Sequence, residues 1–120
     1  MDAADLADLF EPCGKVAVRR LFGGHGVYAG PVMVALESRG VVYLRVDALS
    51  RAAFAAEQSE PFVYERSGRK PMSLPYWRLP EAAFEDPDEM RRWFAMARDA
   101  AMRAASARRP SSRRRGDIDE

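Results

Sequence analysis

The run Arg19 to Tyr28, RRLFGGHGVY, gathers the residues best suited to chemistry: two arginines, three glycines within four positions, a histidine and a tyrosine. The backbone N–H groups of a glycine-rich turn, flanked by Arg19 and Arg20, could cradle a phosphate or another anion. The order Phe22, Gly23, Gly24, His25, Gly26 matches neither G-x-x-x-x-G-K-[ST] nor G-x-G-x-x-G, and the segment after Gly26 reads as a strand, not a helix. The favoured reading is a strand turn or bulge, in which glycine supplies positive φ and close packing. His25 could serve as a general base. Nothing in the sequence places a serine or cysteine nucleophile beside it, and Cys13 falls across a strand, so a solvent-facing loop histidine is expected. Arg19 and Arg20 are neighbours in a strand and must point to opposite faces. An ion pair and a partner contact are equally open for them.

Other constellations are weaker. Cys13 and His25 are each the only residue of their kind, and no CxxC or HxxxH spacing exists. No disulfide, metal site, cofactor site or catalytic residue is therefore assigned. Arg66, Arg69 and Lys70 cluster at a turn and read as a solvated hairpin tip. Tyr28, Tyr43, Tyr64, Tyr76 and Trp77 could stack the bases of a single strand. Against that, residues 1–90 carry 10 basic and 14 acidic groups, and no RNP, KH or zinc-finger pattern is present. Arg108, Arg109, Arg113, Arg114 and Arg115 form the one strong basic run. It could add salt-dependent affinity for nucleic acid, weak or indirect, or serve as a solubilising end, since GDIDE partly offsets it.

These residues need a scaffold. A chain of 120 residues supports one domain with one core. No apolar run approaches the ~20 residues needed to cross a bilayer, and the acidic start MDAADLADLF is not a signal peptide. A cytoplasmic location is expected, with no membrane partner. Asp2 to Phe10 reads as a helix, with Leu6, Leu9 and Phe10 on one face and Pro12 and Gly14 ending it. Strand patterns come next at Val16 to Phe22, Gly26 to Ala29, Val32 to Glu37 and Val41 to Asp47. In the last, Val42, Leu44 and Val46 face one way and Tyr43 and Arg45 the other, which suits a sheet with one wet face. Ser50 is placed to cap a short helix, Arg51 to Glu57. Phe62 to Glu65 is another strand. Pro71 to Leu79 is extended, and its two prolines suggest an irregular or edge strand that would permit a homodimer.

The final helix has the clearest start: Asp86 as N-cap, Pro87 at N1, and Glu89 at N3 as the capping-box partner. Met90, Trp93, Phe94, Ala97, Ala101 and Ala104 mark its inner face. The domain is expected over residues 1–107, with a disordered arginine-rich tail over 108–120. The class is α+β: two layers, a mainly antiparallel sheet of five to six strands, an N-terminal helix, a short middle helix and a long C-terminal helix.

Five segments in order, RRLFGGHGVY, VVYLRVD, PFVYER, LPYWRLPE and EDPDEMRRWFAMARDAA, resemble the N-terminal domain of TfoX/Sxy proteins, the regulators of bacterial natural competence. The resemblance covers roughly Val16 to Ala105. It implies the same α+β arrangement and a non-enzymatic regulatory role in competence or DNA-uptake gene expression. It also implies a protein partner; in better-known members this is the cyclic-AMP receptor protein at promoters. Those members carry a second, helical domain, and this chain reads as a stand-alone copy of the first. Arg19, Arg20, Phe22, Gly23, Gly24, His25, Gly26 and Tyr28 are then the family motif and the candidate partner or ligand surface. The alternatives are a small-molecule or enzymatic site at the same loop, pooling Arg19 or Arg20 with His25 and Tyr28, and a nucleic-acid accessory role for the tail.

Overall fold

The computed structural model describes residues 1–21 and 23–113, with side chains described through Arg108. Four helices and six strands run in the order α1 (Ala3–Leu9), β1 (Ala17–Leu21), β2 (Gly24–Ala29), β3 (Val32–Ser38), β4 (Val41–Arg45), α2 (Arg51–Ala56), β5 (Pro61–Tyr64), β6 (Met72–Arg78), α3 (Ala82–Glu85) and α4 (Pro87–Arg113). A short 3-10 turn, Glu11–Cys13, comes directly after α1. The strands form one antiparallel sheet in the order β1-β2-β3-β4-β6-β5. The expected α+β class and its three main helices are present. No described helix is long and apolar enough to cross a membrane.

Local chemistry explains the element ends. Asp2 and Asp5 cap α1 reciprocally, each side chain accepting the other's backbone N–H. Arg39 and Gly40 both have positive φ, at 54° and 83°, and close the β3–β4 hairpin in the twist that two-residue loops favour. Asp86 caps α4 by accepting from the Asp88 N–H at 2.9 Å. Glu89 does not reciprocate as a capping-box partner. Its carboxylate accepts instead from Trp93 Nε1 and Arg92, both at 3.2 Å. Ser50 does not cap α2 with its side chain either. Its backbone is already α-like at φ −103°, ψ −16°, and its hydroxyl accepts from the Asp47 N–H at 3.0 Å.

All four helices lie on one face of the sheet. Their buried residues Leu6, Phe10, Phe54, Ala83, Met90, Trp93, Phe94 and Ala97 share one core with Val27, Val34, Val42, Leu44 and Val46 from the strands. Trp93 meets Phe54 edge-on at 4.8 Å, and Phe10 meets Phe94 at 5.6 Å. Ala97 and Ala101 let α4 approach the sheet closely.

The opposite face carries no helix residue among those described, yet it is not simply wet. Leu36, Phe62 and Tyr76 are buried there, with Met33, Tyr43, Tyr64 and Leu74 packed against them. The alternation in VVYLRVD is as expected; the second face differs because large side chains cover one another.

Of the two readings of the Pro71 to Leu79 stretch, irregular or edge, the first holds and the second does not. Its strand, β6, is not an edge but runs between β4 and β5. Pro75 is tolerated because the pairing with β5 skips from Val63↔Ser73 to Pro61↔Trp77. The missing N–H falls in that skip, while Pro75 O still accepts from Val46 N at 2.9 Å.

Candidate interaction surface at the first hairpin

β1 and β2 pair in the register Arg19↔Gly26, Arg20↔His25, Leu21↔Gly24. Directly paired residues share a face, so this register sorts the motif into two sets. His25, Arg20 and, across β3, Glu37 lie on the helix side. Arg19, Gly26 and Tyr28 lie on the open side, where the Arg19 guanidinium stands 5.2 Å from the Tyr28 ring centre. A single pocket holding Arg19 or Arg20 together with His25 and Tyr28 is thereby ruled out: His25 and Tyr28 project from opposite faces of one strand. Phe22 lies outside the described residues.

His25 is not a solvent-facing loop residue. It lies within β2, its side chain is 16% exposed, and its Nδ1 is 2.7 Å from Glu37 Oε1. Glu37 is buried at 5% exposure, and its other oxygen accepts from the Gly40 N–H at 2.8 Å. Burial raises the Glu37 pKa, but the hydrogen bonds from His25 and Gly40 outweigh it, and the carboxyl stays below its ordinary value. The pair ties the β2–β3 ladder to the β3–β4 turn.

The glycines are set by packing. A Cβ on Gly24 would fall 1.9 Å from Glu37 O, and one on Gly26 2.9 Å from Met33 Sδ and 3.1 Å from Leu21 Cδ2. Gly23 turns the chain at φ +76°. Of the two bland readings, turn or bulge, the turn holds at the glycines: Gly23 turns the chain, and Gly24 and Gly26 are regularly paired strand residues.

Glu37 escaped the sequence reading because β3 contains a bulge. Val27 pairs Ala35 and Tyr28 pairs Met33, so Val34 has no opposite number. Strict alternation from Val32 and Val34 would aim Glu37 at the open face. The extra residue shifts the phase and turns it to the helix side.

Four of the five candidate stacking residues come together. Tyr43, Tyr64 and Tyr76 join the open-face cluster, and Tyr28 borders it. Trp77 does not: it pairs with Leu44 and packs into the helix-side core. Arg45 stacks at 5.7 Å on Tyr76. Of the tail arginines only Arg108 has a described side chain, and it is exposed; those of Arg109 and Arg113, and the whole of Arg114 and Arg115, lie outside the described residues. α4 runs on through Arg113, past the expected domain end at residue 107.

Cys13 lies elsewhere, beside a cavity of about 590 Å3 shared with Lys15, Phe94 and Arg98. Burial pushes its thiol pKa up, against a smaller pull from Arg91, which suits a packing residue better than a nucleophile.

The hairpin with its glycine motif, the six-strand sheet and the capped first half of the final helix fall within one continuous match: residues 8–101 fit the family model of the TfoX N-terminal domain. The chain belongs to this family. No curated protein matches it. Within this TfoX N-terminal domain the motif residues serve two purposes. Gly24, His25 and Gly26 build the hairpin, whereas Arg19, Arg20 and Tyr28 are left at its surface.

Proposed function

We propose that this chain is a non-enzymatic regulatory domain that works by binding a protein partner, a transcription regulator in the cytoplasm, and that it bears on competence or DNA-uptake gene expression. The observation that supports the protein contact is the outer edge of β1. Among the described residues the strand order leaves it without a neighbour, and Ala17, Arg19 and Arg20 are exposed along it. β5, the other edge, is four residues long, begins with Pro61 and is irregular in register, so it is the poorer template.

An extended partner segment can add to a free edge through main-chain hydrogen bonds, with side chains setting selectivity. Arg19 and Arg20 supply that selectivity. A second copy pairing β1 on β1 would set arginine against arginine, which is unfavourable, whereas an acidic segment would be matched.

The test is capture from nuclease-treated native lysate with the full chain, with Arg20→Glu, and with Arg51→Glu as a control of equal charge change on the exposed start of α2. The reading expects a transcription regulator with the full chain and the control, and its loss with Arg20→Glu. Equal capture by all three would remove the β1 edge from the contact. No regulator in any capture would end the partner reading.

A further inference from the structure

The six strands contain four arginines but a single carboxylate, Glu37, which faces the helices. Three of the arginines, Arg19, Arg45 and Arg78, lie on the open face, opposite Gly26, Tyr76 and Tyr43. The chain's acidic excess over residues 1–90 is thus confined, Glu37 apart, to helices and loops, and the strands of the open face carry positive charge alone. Among these arginines stand Tyr28, Tyr43 and Tyr64, half-buried. Tyr43 leans on Phe62 at 4.8 Å. Beside them the same face holds a cavity of about 380 Å3, lined by Tyr43, Phe62 and Tyr64, with Ser38, Arg39 and Glu65 as its polar residues.

We propose that this open sheet face binds single-stranded RNA, with bases stacking on Tyr28 and Tyr43, phosphates meeting Arg19, Arg45 and Arg78, and one nucleoside entering the cavity. The charge selects an anionic occupant, and the rings select one with flat π faces; a single strand offers both at each residue. A duplex keeps its bases stacked inward and would leave the tyrosines idle. The cavity favours RNA over DNA. A carboxylate is a poor neighbour for a phosphate, but Glu65 with the Ser38 hydroxyl can hydrogen-bond a ribose 2′-OH. This surface is the face of the sheet rather than the edge of β1 and shares only Arg19 with the protein contact, so the Tyr28, Tyr43 and Arg78 variants test it separately from Arg20→Glu.

The experiment is fluorescence anisotropy of the full chain with fluorescein-labelled oligouridylate of about 12 nucleotides, beside oligothymidylate and an RNA duplex of the same length. Oligouridylate should bind more tightly than either and weaken as salt rises. Tyr43→Leu, which keeps an apolar group beside Phe62, and Tyr28→Leu should each lower affinity roughly tenfold. Arg78→Ala, at an exposed position, should reduce the logarithmic salt slope by about 0.7. Absence of binding at low salt would overturn the proposal. So would binding unaffected by both tyrosine variants, which would assign the contact to the arginine-rich end. Equal affinity for oligothymidylate would overturn the assignment to RNA.

Discussion

His25 Nδ1 and Glu37 Oε1 lie 2.7 Å apart across paired positions of β2 and β3. The buried carboxylate also accepts the Gly40 N–H, so one side chain joins two strands and a turn. Such a group contributes only while ionised. Its folded pKa lies below the ordinary 4.5. Its contribution is therefore full above pH 4.5 and fades as the pH falls through the lower folded value. Glu37→Gln should lower stability by about 1 to 2 kcal/mol at neutral pH. Denaturant midpoints measured down the acid range should show the gap to wild type closing below pH 4.5. A gap constant with pH would show that ionisation of Glu37 is not what matters.

The glycines of the motif should differ sharply in tolerance. At Gly24 an added Cβ meets backbone at 1.9 Å, and backbone cannot step aside without breaking the β2–β3 ladder. Gly24→Ala should cost more than about 3 kcal/mol. At Gly23 nothing lies within 4 Å, and only the positive φ is strained. Gly23→Ala should cost about 1 kcal/mol. Thermal melts of the two variants check the order, and equal losses would contradict the stated geometry.

Asp47 anchors α4 to the end of β4. It accepts from Arg103 Nε at 2.6 Å and from a second guanidinium nitrogen at 3.0 Å, and it also takes the N–H groups of Leu49 and Ser50. The Arg103 hydrogen bond is the main cause that holds its pKa at about 2. A depressed carboxyl stabilises above its ordinary 3.8 and loses that effect as the pH falls towards 2. Because Arg103 is 42% exposed, solvent screening limits the gain, and Asp47→Asn should cost about 1 kcal/mol at neutral pH. Urea titrations at neutral pH and near pH 2 should show a clear difference at the first and a much smaller one at the second, where about half the carboxyls are still ionised.

Trp93 fills the centre of the helix-side core at 1% exposure, against Phe54. Trp93→Ala should cost about 3 to 5 kcal/mol and leave the domain marginal. Near-ultraviolet circular dichroism should lose its aromatic signal on mild warming. An unchanged melt would mean that α4 does not hold the core.

Much of this architecture is legible in the sequence, because it rests on local chemistry. Asp86 and Pro87 start α4, the alternation of Val42, Leu44 and Val46 aims β4, and Arg39-Gly40 closes its hairpin. Apart from the helix caps at Ser50 and Glu89, the misreadings share one cause, which is partnership across the sheet. Glu37 faces inward only because Val34 bulges, and a bulge depends on the neighbouring strand. β6 is central despite two nearby prolines because β5 folds back outside it. Arg19, Arg45 and Arg78 are far apart in the chain, and only the register puts them on one face with the tyrosines. Glu89 pairs with Trp93 rather than with the helix cap because the indole is fixed there by the core.

The proposed meeting of the β1 edge with a protein partner can be read in the cell. A photo-crosslinking amino acid placed at Arg20, and separately at Arg51, in the full chain inside native cells tests it most directly. One strong crosslink to a transcription regulator is expected from position 20, and none from position 51. Crosslinks from position 51 alone, or only to a second copy of the chain, would contradict it.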